Sequence, residues 1–216
     1  MIVVPNGVDT EQFFPMDRQA VRKQLALAPE ARYLVTVAHL RRTKGFLDVL
    51  DALPAIRKKC GDVRWLIVGG STRMYHFEPE LRREIRRREL DDVVRLVGPQ
   101  PPQQVNVYLN AADLFVLATH GEGWCNVLME SLATGLPVVT TAVGGNPEIV
   151  RDENLGLLVP PRDSEALASA VVAALVRTWN RKGLVDYAKE LTWDATARKV
   201  ITFFELRAEK GGTGWL

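Results

Sequence analysis

The sequence predicts an α/β domain built on a doubly wound, Rossmann-like parallel sheet. Short apolar runs alternate with longer amphipathic stretches along the chain. The runs are continuously apolar, as strands buried on both faces require. Turn residues, chiefly Gly, Pro, Asp and Asn, punctuate the boundaries between them.

The first strand, Tyr33–Ala38, leads into a helix over Lys44–Lys59. Val63–Val68 is followed by Glu78–Glu89, whose Leu81 and Ile85, with Leu90 just beyond, form an apolar face. Val93–Val97 precedes Pro102–Asn110, and Leu114–Ala118 precedes Asn126–Thr134. Gly135 stops that helix and Pro137 opens the strand Pro137–Thr141. After a short turn near Pro147–Val150 comes the strand Gly156–Val159. Asp163-Ser-Glu-Ala opens a helix to Val176 with a capping side chain and early negative charge. Asn180–Leu191 and Asp194–Ala208 complete the order. One domain is expected over residues 1–209, with Gly211-Gly-Thr-Gly214 giving a flexible tail over 210–216.

The 216 residues are 47% hydrophobic and 25% charged, an ordinary globular balance. A net charge of +2 gives no argument for nucleic acid as a partner. No apolar run is long enough to span a membrane, and Met1–Asn6 is too short for a signal peptide. Cys60 and Cys125 are the only cysteines, so no disulfide framework is expected. His39, His76 and His120 lack ligand spacing, so no metal site is expected, and no cofactor. A cytoplasmic setting fits these features.

The chemistry concentrates in Glu122-Gly-Trp-Cys-Asn-Val-Leu-Met-Glu130, which joins the loop after a strand to the next helix. A helix starting there offers unpaired backbone amides that favour an anion. Glu122 at its mouth and Glu130 further in can accept hydrogen bonds from sugar hydroxyls. Phosphate beside polyol means a nucleotide or nucleotide sugar. The plain alternative is a solvated loop Glu and a surface helix Glu; against it, Glu130 interrupts a face of Val127, Leu128, Met129 and Leu132, where an unpartnered carboxylate is costly. Lys44 at a predicted helix start gains nothing from the helix dipole, so it reads either as sharing an anion with that helix or, plainly, as a solvated lysine. Arg41 and Arg42 are expected to face solvent. Gly69-Gly70, Gly98-Pro99 and Gly144-Gly145 are glycine turns able to approach a ligand or simply to turn the chain. Neither a Gly-x-Gly-x-x-Gly nor a Gly-x-x-x-x-Gly-Lys-Ser/Thr loop occurs. The basic run Arg82–Arg88 reads as a solvated helix face or, more sharply, as a contact for anionic lipid headgroups.

Glu122 to Glu130, with Gly135-Leu-Pro-Val-Val139, resembles the Glu-x7-Glu motif of retaining glycosyltransferase family 4, whose members have the GT-B fold. Pro5-Asn-Gly-Val-Asp9 with Phe13 and Pro15, Val37–Gly45, Gly144–Val150 and Gly156–Pro161 resemble further segments of its C-terminal domain. The resemblance covers roughly residues 2–205. It implies that Glu122 binds the donor sugar, Glu130 the ribose diol and Lys44 the diphosphate. Gly123, Trp124, Cys125, Asn126 and Val127 would contact sugar and phosphate. Gly98, Pro99 and Gln100 would lie near the base, Gly69 beside the nucleotide, and His39 at the phosphate site.

His39 stands where many members have arginine, which leaves more of the diphosphate charge to Lys44. Cys125 stands where many have glycine, and is expected to narrow the sugar pocket. Trp124 replaces a common phenylalanine. The resemblance also implies partners: a nucleotide sugar, and an N-terminal acceptor domain absent from this chain, which would be the C-terminal half of a GT-B enzyme. The final helix, which in the family packs back on that domain, would expose Ile201, Phe203 and Phe204. Peripheral association with the inner membrane face is a further expectation. The activity implied is hexosyl transfer, with retention, from a UDP- or GDP-sugar to an acceptor such as a growing glycan or glycolipid. The alternatives are a non-catalytic nucleotide-sugar-binding module, half of a split enzyme, or a related nucleotide-sugar epimerase.

Overall fold

A computed structural model of the protein describes residues 5–71 and 76–209. The predicted tail over 210–216 lies outside the described residues. Six strands form one sheet in the order β3-β2-β1-β4-β5-β6, with every pairing parallel. They are β1 (Arg32–Val37), β2 (Val63–Val68), β3 (Val94–Gly98), β4 (Leu114–Leu117), β5 (Val138–Thr141) and β6 (Gly156–Val159). Each strand predicted from sequence is present, shifted by at most one residue at either end.

The helices are α1 (Arg18–Gln24), α2 (Phe46–Cys60), α3 (Glu78–Arg87), α4 (Pro102–Ala111), α5 (Asn126–Ala133), α6 (Asn146–Ile149), α7 (Ser164–Val176), α8 (Arg181–Lys189) and α9 (Trp193–Glu209). Asp17, Asp163 and Asn180 cap α1, α7 and α8, each accepting a backbone N–H three residues on. The sequence reading missed α1, in which Val21 is the one strongly apolar residue and periodicity has nothing to register.

Alternate side chains of the strands supply two cores. Tyr33, Val35, Phe115, Leu117 and Val138 pack under α4, α5 and α8. Leu34, Trp65, Ile67, Val116 and Val139 pack under α2, α3 and α7. Both faces are therefore covered, which explains the continuously apolar strands. The expected apolar face of α3 is buried, with Leu81, Ile85 and Leu90 inside.

The strand order reverses between β1 and β4. β1 is continued outward through β2, and β4 outward through β5, so the loops leaving β1 and β4 diverge and leave a crevice at the carboxyl ends. The two ends of the described chain meet beside it. Val8 bridges to Thr192, and the Thr196 hydroxyl donates to the Pro5 carbonyl at 3.1 Å.

Candidate functional site

Lys44 and Glu122 come from the two loops that diverge at this crevice. Lys44 does not open α2, contrary to the sequence reading. It ends a short 3-10 turn, Arg42–Lys44, and Gly45 with φ +70° redirects the chain into α2. A Cβ on Gly45 would lie 1.8 Å from the Ala118 carbonyl oxygen, so the first loop passes directly over the end of β4. The Lys44 ammonium consequently donates to Glu122 Oε1 at 2.5 Å.

Further bonds fasten these loops together. The Thr43 carbonyl accepts from the His120 amide at 2.8 Å and from the Thr119 hydroxyl at 3.1 Å. His120 Nε2 lies 2.6 Å from Asp48 Oδ2. On the far side, the Gly145 amide donates to the Gly123 carbonyl at 2.8 Å. Gly144, at φ +51°, approaches so closely that a Cβ there would sit 1.8 Å from the Glu122 carbonyl oxygen. The sequence reading did not connect Asp48, Thr119 and His120 with the site. The available signal was His120 two positions before Glu122 and Asp48 one helical turn after Lys44.

Cys125, the N-cap residue of α5, is buried in the core beneath the loop. Burial, and then the nearby Glu122 carboxylate, push its thiol up to about 12, so it stays protonated. Asn126 and Val127 open α5, and their amides have no acceptor among the described residues. Asn126 also accepts from Asn6 Nδ2 at 3.0 Å, which ties the Pro5–Asp9 segment to this helix start. Trp124 folds back so that its indole N–H meets Met129 Sδ at 3.2 Å. Gly123 is exposed, with nothing within 4 Å of a Cβ built on it.

Glu130 lies on α5, partly buried, and no donor among the described residues reaches its carboxylate. Desolvation pushes its pKa up to about 7. The structure thus sets Lys44, Glu122 and Glu130 around Cys125, with Lys44 and Glu122 in direct contact. His39, Gly69 and Gly98–Gln100 sit on the ends of β1, β2 and β3 along the same rim. No hydrogen bond among the described residues joins them to the cluster. His39 is exposed, and the Gly69 amide donates to the Gly98 carbonyl at 2.9 Å.

Of the two arginines expected to face solvent, Arg42 does so and pairs with Glu80, whereas Arg41 is half-buried. The arginine run on α3 is largely neutralised: Arg82 pairs with Glu78, Arg87 with Glu84, and Arg88 with both Glu84 and Asp51. On α9, Ile201, Phe204 and Leu206 are exposed, whereas Phe203 is half-buried and stacks edge-on against Phe204. Among the described residues no group of three His, Cys, Asp or Glu side chains is placed to hold a metal, and no helix is long and apolar enough to cross a membrane.

Fold and site together define a Rossmann-like α/β domain with a charged cluster at its topological switch point, the architecture of the C-terminal half of a GT-B protein. The chain belongs to the group 1 glycosyl transferases, whose family model matches residues 31–177. It is 33% identical over 215 residues to the D-inositol 3-phosphate glycosyltransferase of Segniliparus rotundus, covering 97% of this chain and 47% of that protein. Among solved structures, sucrose-phosphate synthase from Thermosynechococcus elongatus superposes with a TM-score of 0.83 at 30% identity, over 96% of this chain and 52% of that one. Anabaena Alr3699/HepE, solved in complex with UDP and glucose, has the same fold (TM-score 0.83, 22% identity, 94% of this chain and 56% of that one). The chain spans about half the length of the relatives it matches.

Proposed function

We propose that residues 1–209 form the donor-binding half of a retaining glycosyltransferase that uses a nucleotide-diphosphate sugar without a metal. The observation that carries this reading is Glu130, a partly buried carboxylate with no donor among the described residues, on the helix whose open amides follow the Lys44–Glu122 pair. Such a group needs hydroxyl donors to remain charged, and a ribose diol supplies two. Lys44 carries three N–H donors and spends one on Glu122, leaving two for phosphate oxygens.

In this reading Glu122 holds hydroxyls of the transferred sugar while orienting Lys44. As the glycosidic bond breaks, negative charge grows on the leaving diphosphate. Lys44 and the Asn126 and Val127 amides stabilise it, and removing one such donor raises the barrier by on the order of 3 kcal/mol. The protonated Cys125 thiol is not a nucleophile, and no carboxylate is assigned to attack the far face of the sugar, so front-face attack is the proposed route to retention. The HepE complex with UDP favours a UDP-sugar over a GDP-sugar. The named relatives suggest a phosphorylated polyol as acceptor, read by a part of the protein beyond this chain.

Calorimetric titration of the chain with UDP- and GDP-sugars, compared with Lys44→Ala and Glu130→Ala, tests the assignment. Unchanged affinity in both variants defeats it. A second reading, a nucleotide-sugar-binding module or half of a split enzyme without catalysis of its own, draws on the half-length match. Product formation by this chain alone refutes it. Contact with an anionic membrane would fall to Arg83 and Arg86, which carry no ion pair among the described residues. Sedimentation with phosphatidylserine vesicles that persists in an Arg83→Gln/Arg86→Gln variant removes them from that role.

A further inference from the structure

A second concave site lies at the opposite pole of the sheet. It occupies the junction of α1, α4, α5 and α8, beside the amino ends of β4 and β5, with a volume of about 640 Å³. Small-molecule sites have volumes of this order. Its lining combines two chemistries. Pro15, Met16, Leu109 and Val185 supply apolar surface, and Arg18, Arg181, Lys182 and Lys189 supply positive charge.

The positive charge is not balanced within the fold. Asp113 serves both Arg18, at 2.8 Å, and Arg22, at 2.6 Å. Asp186 is taken by Lys182 at 2.6 Å. Lys189 has no ion pair among the described residues, and Arg181 spends one N–H on the Gly135 carbonyl at 3.0 Å. Among the described residues, the five cations Arg18, Arg22, Arg181, Lys182 and Lys189 in and behind the lining share two carboxylates, Asp113 and Asp186. Arg22 is consumed structurally by the carbonyls of Pro29, Ala31 and Ala111. Arg18 and Arg181 keep guanidinium donors that have no acceptor among the described residues.

We propose that this pocket is a second binding site that takes a small phosphorylated organic molecule, its phosphate held by Arg181 and Arg18 and its carbon body against Met16 and Val185, towards Lys189. Phosphate fits because spare planar guanidinium donors bind its oxygens bidentately. Burial, and after it the like charge of Arg18, pulls the Arg181 pKa down to about 10, and a bound anion would favour its charged form. The apolar wall calls for an organic body rather than a bare ion.

Amide NMR of the whole chain tests this, with glucose 6-phosphate, inorganic phosphate and glucose as separate probes. Glucose 6-phosphate is expected to shift the amides of Gly135, Lys182 and Val185, to bind more tightly than inorganic phosphate, and to leave Gly123–Val127 unmoved. Glucose is expected to shift none of them. Arg181→Gln, which keeps the stem that packs on Gly135, and Arg18→Gln, which leaves Arg22 on Asp113, are each expected to weaken binding about tenfold. Shifts confined to Gly123–Val127, equal affinity for the two phosphates, or wild-type affinity in both variants overturn the proposal. None of those results bears on the Lys44–Glu130 assignment, which is read by nucleotide sugars at the other pole.

Discussion

Lys44 and Glu122 are 78 residues apart in sequence, yet their side chains form a 2.5 Å ion pair in the crevice between β1 and β4. Both are largely shielded, with side-chain exposures of 19% and 11%. Each loop is thereby aimed by the other, and the ammonium is fixed before any anion arrives.

Removing one partner strands the other. Lys44→Ala is expected to destabilise the fold by about 1–3 kcal/mol, because it leaves a shielded carboxylate unpaired. The double variant Lys44→Ala/Glu122→Ala is expected to recover part of that loss in urea unfolding. For ligands the two positions should separate. Glu122→Gln frees Lys44, so affinity for UDP holds or rises while the preference for UDP-sugar over UDP falls. Equal losses for both ligands would contradict the division of roles.

Glu130 gives a pH signature of known sign. Its pKa rises from 4.5 to about 7 on folding, so the folded state holds the proton more tightly than the unfolded chain between those values. Its contribution to stability therefore falls as pH rises through that window, by on the order of 3 kcal/mol in all. Glu130→Gln should flatten the decline and stabilise the free protein at pH 8. Ribose hydroxyls need the ionised form, so UDP-sugar affinity should rise through pH 7 and binding at neutral pH should release a proton. Calorimetry in buffers of different ionisation enthalpy reads this, and proton uptake would exclude Glu130 as the diol acceptor.

Two glycines should behave oppositely. Gly45→Ala places a Cβ against the Ala118 carbonyl at positive φ, and is expected to cost about 3 kcal/mol or more in denaturant unfolding. Gly123→Ala meets nothing in the fold, so its melting temperature should be unchanged while UDP-sugar binding weakens. Wild-type binding in Gly123→Ala would move the ligand away from the mouth of α5.

Asp113 anchors the far end of β4. It accepts from Arg18, Arg22 and the Tyr33 amide, the last at 2.7 Å. Asp113→Ala leaves Arg22 buried without its carboxylate and should cost about 3–5 kcal/mol. Asp113→Asn keeps an acceptor for the Tyr33 amide and should cost less, as thermal unfolding of the pair would show.

Local chemistry wrote much of this fold into the sequence. Six apolar runs gave six strands because each run is a self-contained burial signal, and Asp163 named the start of α7 because its side chain caps an amide three residues on. Where local signals were weak the reading failed. The polar α1 carries almost no periodicity, and Lys44 looks like a helix start because the αL turn at Gly45 leaves no hydrophobic trace.

The sequence alone determined the α/β class, the sheet buried on both faces, and the segment from Glu122 to Glu130 as the place where charge meets a helix mouth. Only the tertiary structure decided that β4 lies beside β1, so that Lys44 meets Glu122, and that Arg18, Arg22 and Arg181 crowd one carboxylate at the opposite pole. The reason is range. Periodicity and capping act over a few residues, whereas strand order and ion pairing depend on how crossovers fold back, which no short stretch of sequence encodes.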